Sequence, residues 1–253
     1  MTLKEITSAQ NPKYKYFKSL KTKKARDKSR QYTVEGIKSV RDAVNAGADI
    51  DCLIVSDSFD RDISAETVYK LSDELFAKLC DTETPQGVMA VINMPLKNEK
   101  TLSQGNLYLY CDRVADPGNV GTIIRICDAA DCGLLLSRGT ADIYNPKTVR
   151  ASMGSFFHTE ITESITAEDI EKFRADGFKI ICSALSGNTS DYREADYGGG
   201  AIIVVGNEAN GVSDEILALA DACVKIPIWG KAESLNVGVA SALLVYEAQK
   251  KRK

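Results

Sequence analysis

The chain has 253 residues, 44 % apolar and 26 % charged, with a net charge of −3, the profile of a folded protein with room for one large domain or two modest ones. No apolar run approaches the ~20 residues a membrane span needs, and the start, MTLKEITSAQNPKY, lacks the apolar core of a secretory signal. Seven cysteines without a CxxC pair and a single histidine argue against a disulfide frame and against a zinc site, so no metal is expected and the thiols are expected reduced, in the cytoplasm.

The first feature along the chain is basic. Lys13, Lys15, Lys18, Lys21, Lys23, Lys24, Arg26, Lys28 and Arg30 crowd one short stretch, opposed only by Asp27. Such a run is either a solvated helix face or a contact for a polyanion, because Lys and Arg on phosphates release counterions whatever the sequence. Tyr14, Tyr16, Phe17 and Tyr32 are interleaved with it; they suit stacking on unpaired bases, and Tyr16, Phe17 and Leu20 equally suit the core stripe of a helix. Gln31 to Val34 then reads as a strand, Gly36 to Asn45 as a helix closed by Gly47, and Asp51 to Ser56 as a buried strand. Ser64 to Lys70 and Ser72 to Cys80 read as helices, and Gly87 to Ile92 as a strand. Residues 1–95 thus form a smaller α/β domain. The polar, turn-rich segment that follows supplies a linker over 96–106.

From Leu107 strands and helices alternate. The strands are Leu107 to Cys111, Leu134 to Ser137, Lys179 to Ala184, Ala201 to Val205 and Cys223 to Ile228. The helices are Val120 to Ala130, Ala167 to Ala175, Ser213 to Leu219 and Val237 to Ala248. Near-continuous apolar strands in this alternation predict a mainly parallel sheet covered on both faces, as a second α/β domain over 107–253. Three loops of this half stand out. Asp116-Pro-Gly-Asn119 turns into a helix that Asn119 is placed to cap, with Arg125 among isoleucines six residues on. Gly206-Asn207-Glu208 emerges from the C-terminal end of a strand, where ligands bind in α/β sheets. Glu233-Ser234-Leu235-Asn236 separates the last strand from the last helix, which Ser or Asn would cap.

In order, spacing and residue type, NVGTIIRICDAADCG from Asn119, IIVVGNEANGVS from Ile202 and IPIWGKAESLNVGVASALLVYE from Ile226 resemble the motifs of the SpoU (TrmH-like) RNA 2′-O-ribose methyltransferases of the SPOUT class. The stretches VEGIKSVRDAV and TPQGVMAV resemble the substrate-binding domain, similar in fold to some ribosomal proteins, that precedes the catalytic domain in many members. The resemblance implies a C-terminal trefoil knot, a homodimer formed through the C-terminal domain, S-adenosyl-L-methionine as cofactor and RNA, chiefly ribosomal RNA, as partner. It implies catalytic roles for Arg125, Asn119, Glu208, Ser234 and Asn236. It implies cofactor contacts from Ala184, Leu185, Gly206, Asn207, Ile226, Ile228, Ser234 and Leu235. Together with the basic run it points to RNA contacts at Lys13, Lys15, Lys21, Lys23, Lys24, Arg26, Arg30 and Arg150. Arginine is an awkward base at a pKa above ~12, so Arg125 is expected to orient the ribose and phosphate and to stabilise the forming alkoxide. The lone His158 is not expected to be catalytic.

Three other readings remain at this point. The same chemistry could serve a transfer RNA. A non-catalytic RNA-binding assembly protein would keep the fold, although intact Asn119, Arg125, Glu208, Ser234 and Asn236 count against it. A nucleotide-dependent oxidoreductase would need a GxGxxG turn after its first strand, and Asp116-Pro-Gly-Asn-Val-Gly121 is not one.

Overall fold

The structure, a computed structural model, describes residues 2–63, 65–96, 100–185 and 188–252. In chain order its elements are β1 (Thr2–Ile6), α1 (Pro12–Ser19), α2 (Lys23–Ser29), β2 (Gln31–Glu35), α3 (Ile37–Asn45), β3 (Ile50–Ser56), β4 (Thr67–Leu71), α4 (Asp73–Leu79), β5 (Val88–Asn93), β6 (Leu107–Asp112) and α5 (Pro117–Ala130). They continue with β7 (Gly133–Ser137), α6 (Pro146–Ala151), β8 (Ile161–Ile165), α7 (Ala167–Ala175), β9 (Lys179–Ser183), β10 (Ser190–Asp191), β11 (Ala201–Gly206), α8 (Asp214–Leu217), β12 (Ala222–Lys225) and α9 (Val237–Arg252).

Contacts divide the chain into two units, one of residues 1–96 with 142–158 and one of residues 97–141 with 159–253. Sequence order places 142–158 in the second domain; its contacts place it in the first unit. Three residues of the expected linker, 97–99, lie outside the described residues.

The first unit holds a sheet in the order β1-β4-β3-β5-β2. Its β1–β4 and β3–β4 pairs are parallel and its β3–β5 and β2–β5 pairs antiparallel. Helices α1 and α4 bury Tyr14, Phe17, Phe76 and Leu79 against Ile54, Tyr69 and Leu71 of the sheet. Each such side chain contributes roughly 1.5–3 kcal/mol when removed from water. Two expectations are corrected here. Ser64 lies outside the described residues, and most of the remaining stretch read as a helix, from Thr67, is β4, whose Val68, Tyr69 and Leu71 are buried. Tyr14, Phe17 and Tyr32 are also buried, so they serve the core and present no stacking face. Tyr32 instead packs on Tyr144 and Phe156 of the 142–158 segment, with ring centroids 4.9 and 5.7 Å away.

The second unit carries a sheet ordered β10-β12-β9-β11-β6-β7-β8, parallel throughout its described pairs. Every residue of β6 is buried, as are Ala201 to Val205 of β11, as expected for central strands covered on both faces. Helix α9 turns Val237, Ser241, Leu244, Val245 and Ala248 inward and packs against α5, β11 and β6. Gly238 permits the close approach: a Cβ there would lie 3.1 Å from Thr122 Cγ2 on α5.

Candidate active site

Parallel pairing fixes where the site can be. β12, β9, β11 and β6 are consecutive in the sheet, so their C-terminal ends share one edge and the loops that follow them emerge together. Those loops contain Ile226–Asn236, Ala184–Leu185, Asn207–Gly211 and Arg113–Asp116.

After β6 the chain turns into α5 through Asp116-Pro117. The Asp116 side chain accepts from the Asn119 amide at 2.9 Å, and Pro117 occupies the first helical turn. Asp116 is therefore the cap, and the expectation that Asn119 plays that role is corrected. The Asp-Pro dipeptide carried the signal, since proline suits the first helical position and aspartate the one before it. Relieved of capping, the Asn119 carboxamide is available for longer-range bonds. Its Nδ2 donates to Glu208 Oε1 at 2.8 Å, and its Oδ1 accepts from Asn236 Nδ2 at 2.9 Å.

Each end of this bridge is held by its own loop. Glu208 also accepts from the Ala115 amide at 3.2 Å. Asn207 pairs its backbone with Gly211 and donates its side chain to the Arg113 carbonyl at 2.8 Å. The turn between Gly206 and Gly211 is tight enough that a Cβ on Gly206 would sit 2.0 Å from the Gly211 carbonyl carbon. Asn236 caps α9, accepting from the Gly238 amide at 2.9 Å. Partial burial pushes the Glu208 carboxyl up, but the bonds from Asn119 and from backbone amides, including those of Ala115 and Asp116, outweigh it and hold it below its ordinary range. Glu208 is thus an anion whose place is the anchoring of two loops.

The other expected residues fall as follows. Arg125 is exposed on α5, in a stripe with Thr122, and its guanidinium bonds no described residue. Ser234 and Leu235 are exposed on the loop before Asn236. Ala184 is tied to β12 by its amide donating to the Val224 carbonyl at 3.0 Å, and Leu185 is exposed. Ser186 and Gly187 of the same loop lie outside the described residues. Ile226 and Ile228 are half-buried beyond the end of β12, and among the described residues their backbone amides and carbonyls have no hydrogen-bond partner. Half-buried peptide groups normally find partners. Apolar side chains bearing free backbone donors and acceptors suit the edge and faces of an adenine ring.

In the first unit, Lys13, Lys15, Lys23, Lys24, Arg30 and Arg150 are exposed. Lys21 is committed to Asp81 at 2.7 Å and Arg30 to the Pro95 carbonyl at 2.7 Å. Arg26 corrects the expected RNA contacts. It is 2 % exposed, donates to the Leu20 and Lys21 carbonyls at 2.8 Å each, and pairs with Asp142 at 2.6 Å. His158 ends the 142–158 segment in the first unit, whereas Asn119, Glu208 and Asn236 all belong to the second. No group of residues able to hold a metal occurs among the described residues, and no described helix is long and apolar enough to cross a membrane.

A parallel sheet with polar loops joined at its C-terminal edge defines a ligand-binding α/β protein, and comparison with known proteins gives its family. Residues 106–246 match the SpoU rRNA methylase family and residues 11–90 the MRM3-like substrate binding domain. The chain belongs to the SpoU family. It is 38 % identical to the 23S rRNA (guanosine(2553)-2′-O)-methyltransferase RlmP of Bacillus subtilis, over 96 % of this chain and 98 % of that one. An AdoMet-bound rRNA methyltransferase from Sinorhizobium meliloti superposes with a TM-score of 0.89 at 32 % identity, covering 98 % of both chains. A tRNA (guanosine(18)-2′-O)-methyltransferase of Aquifex aeolicus is 34 % identical over 59 % of this chain and 71 % of its own.

Proposed function

We propose that the chain is an S-adenosylmethionine-dependent methyltransferase acting on a ribose 2′-hydroxyl of ribosomal RNA. The observation that carries this reading is the Asn236–Asn119–Glu208 bridge, which joins two loops to the first turn of α5 at one edge of the parallel sheet. Ribosomal rather than transfer RNA is favoured by coverage. The ribosomal relatives described above match along nearly the whole chain, first unit included, while the transfer RNA relative matches 59 % of it.

When bound, S-adenosylmethionine supplies an electrophilic methyl group. Ile226 and Ile228 would grip the adenine, with Leu235 packed beside it and Gly206, Asn207, Ala184 and Leu185 shaping the wall. Asn119, Glu208 and Asn236 would hold the loops in register, with Ser234 near the reacting group, and such positioning can supply up to about 7–11 kcal/mol of barrier reduction. The Arg125 guanidinium, without a partner among the described residues, would orient the ribose and its phosphate and stabilise the alkoxide as the hydroxyl loses its proton. Lys13, Lys15, Lys23, Lys24 and Arg150 would contact RNA phosphates.

The same reading includes a trefoil knot in the C-terminal chain, action in the cytoplasm and a homodimer. Pairing is supported by Val239, Leu243 and Tyr246, exposed large apolar side chains at helical spacing on α9. Transfer of labelled methyl from S-adenosylmethionine to RNA, followed by mapping of methylated riboses with and without the gene, tests the function. Methyl on a base, or on transfer RNA alone, would refute it.

A further inference from the structure

Trp229 is the only tryptophan of the chain, and it is 87 % exposed. It follows Ile228 on the loop between β12 and α9, with Gly230 and Lys231, both exposed, immediately after it. Among the described residues the ring stacks on no other aromatic and the indole N–H has no acceptor. Its ring makes no contribution to the core and, on a loop at the C-terminal edge of the sheet, is placed to meet a bound molecule with an apolar face and a polar N–H.

Position narrows that function. The loop is anchored on one side by the strand end at Lys225, whose carbonyl accepts from Tyr192 at 3.0 Å. On the other it is held by Asn236, bonded to Asn119. The indole therefore projects from a segment tied at both ends, a few residues from the groups that would hold the donor. The exposed loop that follows it carries Lys231, Glu233 and Ser234, unlike the apolar stripe of Val239, Leu243 and Tyr246 on α9. A bare ring two residues before an exposed lysine suits an unpaired nucleotide, whose base has a π-face and whose phosphate is an anion. By contrast, the buried tyrosines and Phe17 in and around the basic helices offer no such face.

We infer that Trp229 is a substrate-binding residue that stacks on an unpaired nucleobase of the RNA at or beside the methylated nucleotide. This rests on the proposed function, and one set of experiments separates the two. RNA and large ribosomal subunits from cells lacking the gene are offered as methyl acceptors to the full-length protein, while the emission of its single tryptophan is followed. Emission is expected to be quenched along the acceptor's own saturation curve, and to stay unchanged with S-adenosylhomocysteine alone or on dilution of the protein. Trp229→Ala is expected to raise the KM for the acceptor about tenfold, with S-adenosylhomocysteine affinity changed less than twofold. Trp229→Phe, which keeps a stacking ring, is expected to restore most of the loss. Methyl transfer without quenching overturns the inference and leaves the function standing. So does emission that shifts on dilution, which marks a contact with a second copy, or with S-adenosylhomocysteine alone. Absence of methyl transfer to either acceptor overturns both.

Discussion

At the scale of single residues, the proposed site combines Arg125, whose guanidinium has no partner among the described residues, with Glu208, whose carboxylate accepts from Asn119 and Ala115. Arg125→Ala is expected to lower methyl transfer at least ~100-fold, as for loss of a donor that stabilises developing charge, while calorimetry still detects S-adenosylhomocysteine binding. Unchanged turnover would remove the arginine from the mechanism. Glu208 has its folded-state pKa depressed by the amides around it. Its stabilising contribution is therefore complete above the ordinary value of 4.5 and is lost as the pH falls through the depressed one. A carboxyl chemical-shift titration should give a midpoint below 4.5, and a higher midpoint would contradict the hydrogen-bonded bridge. Arg26 shows the limit of reading charge from sequence. Lys23, Lys24, Lys28 and Arg30 of the same run are exposed, and the residue type does not distinguish Arg26 from them; the Leu20 and Lys21 carbonyls and a carboxylate 116 positions away do. Because Arg26 is buried with its Nε unpaired, Asp142→Ala should cost about 3–5 kcal/mol in urea unfolding.

At the scale of elements, what was legible was what is locally determined. The strands β6, β9 and β11 are apolar runs of ordinary length, and α5, α7 and α9 carry helical spacing, so the sequence exposes them directly. β1 was not legible because TLKEI is exposed except at Ile6, and its support is parallel pairing with β4, a partner more than sixty residues on. β4 in turn is a strand through its pairing with β1 and β3, which overrides a weak local pattern. α6 opens with Asn145 before Pro146, the same cap-and-proline grammar that starts α5, and is legible on that signal. The candidate site was legible as separate motifs, and the bond from Asn119 to both Glu208 and Asn236 was not, because it depends on which strands are neighbours. The Gly206–Gly211 turn gives the test at this scale. Gly206→Ala brings a methyl against backbone that cannot move aside. It is expected to destabilise the chain by about 1–3 kcal/mol and to weaken S-adenosylhomocysteine binding; full cofactor affinity would show that the turn does not shape the site.

At the scale of the molecule, the exposed face of α9 sets the expected assembly. Leu243→Asp places a charge in the middle of the Val239–Leu243–Tyr246 stripe and is expected to give a particle of 27.5 kDa by light scattering, where the proposed pairing predicts twice that mass for the unaltered chain. A monomer for the unaltered chain would refute pairing. The division into units also bears on truncation. Removing residues 1–95 would take Tyr32 and Arg26 from Tyr144, Phe156 and Asp142, so the remaining chain would carry a stranded segment as well as a missing domain.

That interleaving has a consequence during synthesis. The buried arginine of α2 meets its counterion only after a further 116 residues have been made, which takes about 6 to 23 seconds at ordinary elongation rates of roughly 5–20 residues per second. Until then the nascent amino-terminal part lacks the carboxylate of Arg26 and the aromatic cover of Tyr32, although its own sheet and core are already made. Birth order and finished architecture are out of step, and the earliest-made portion is completed by material from the middle of the message.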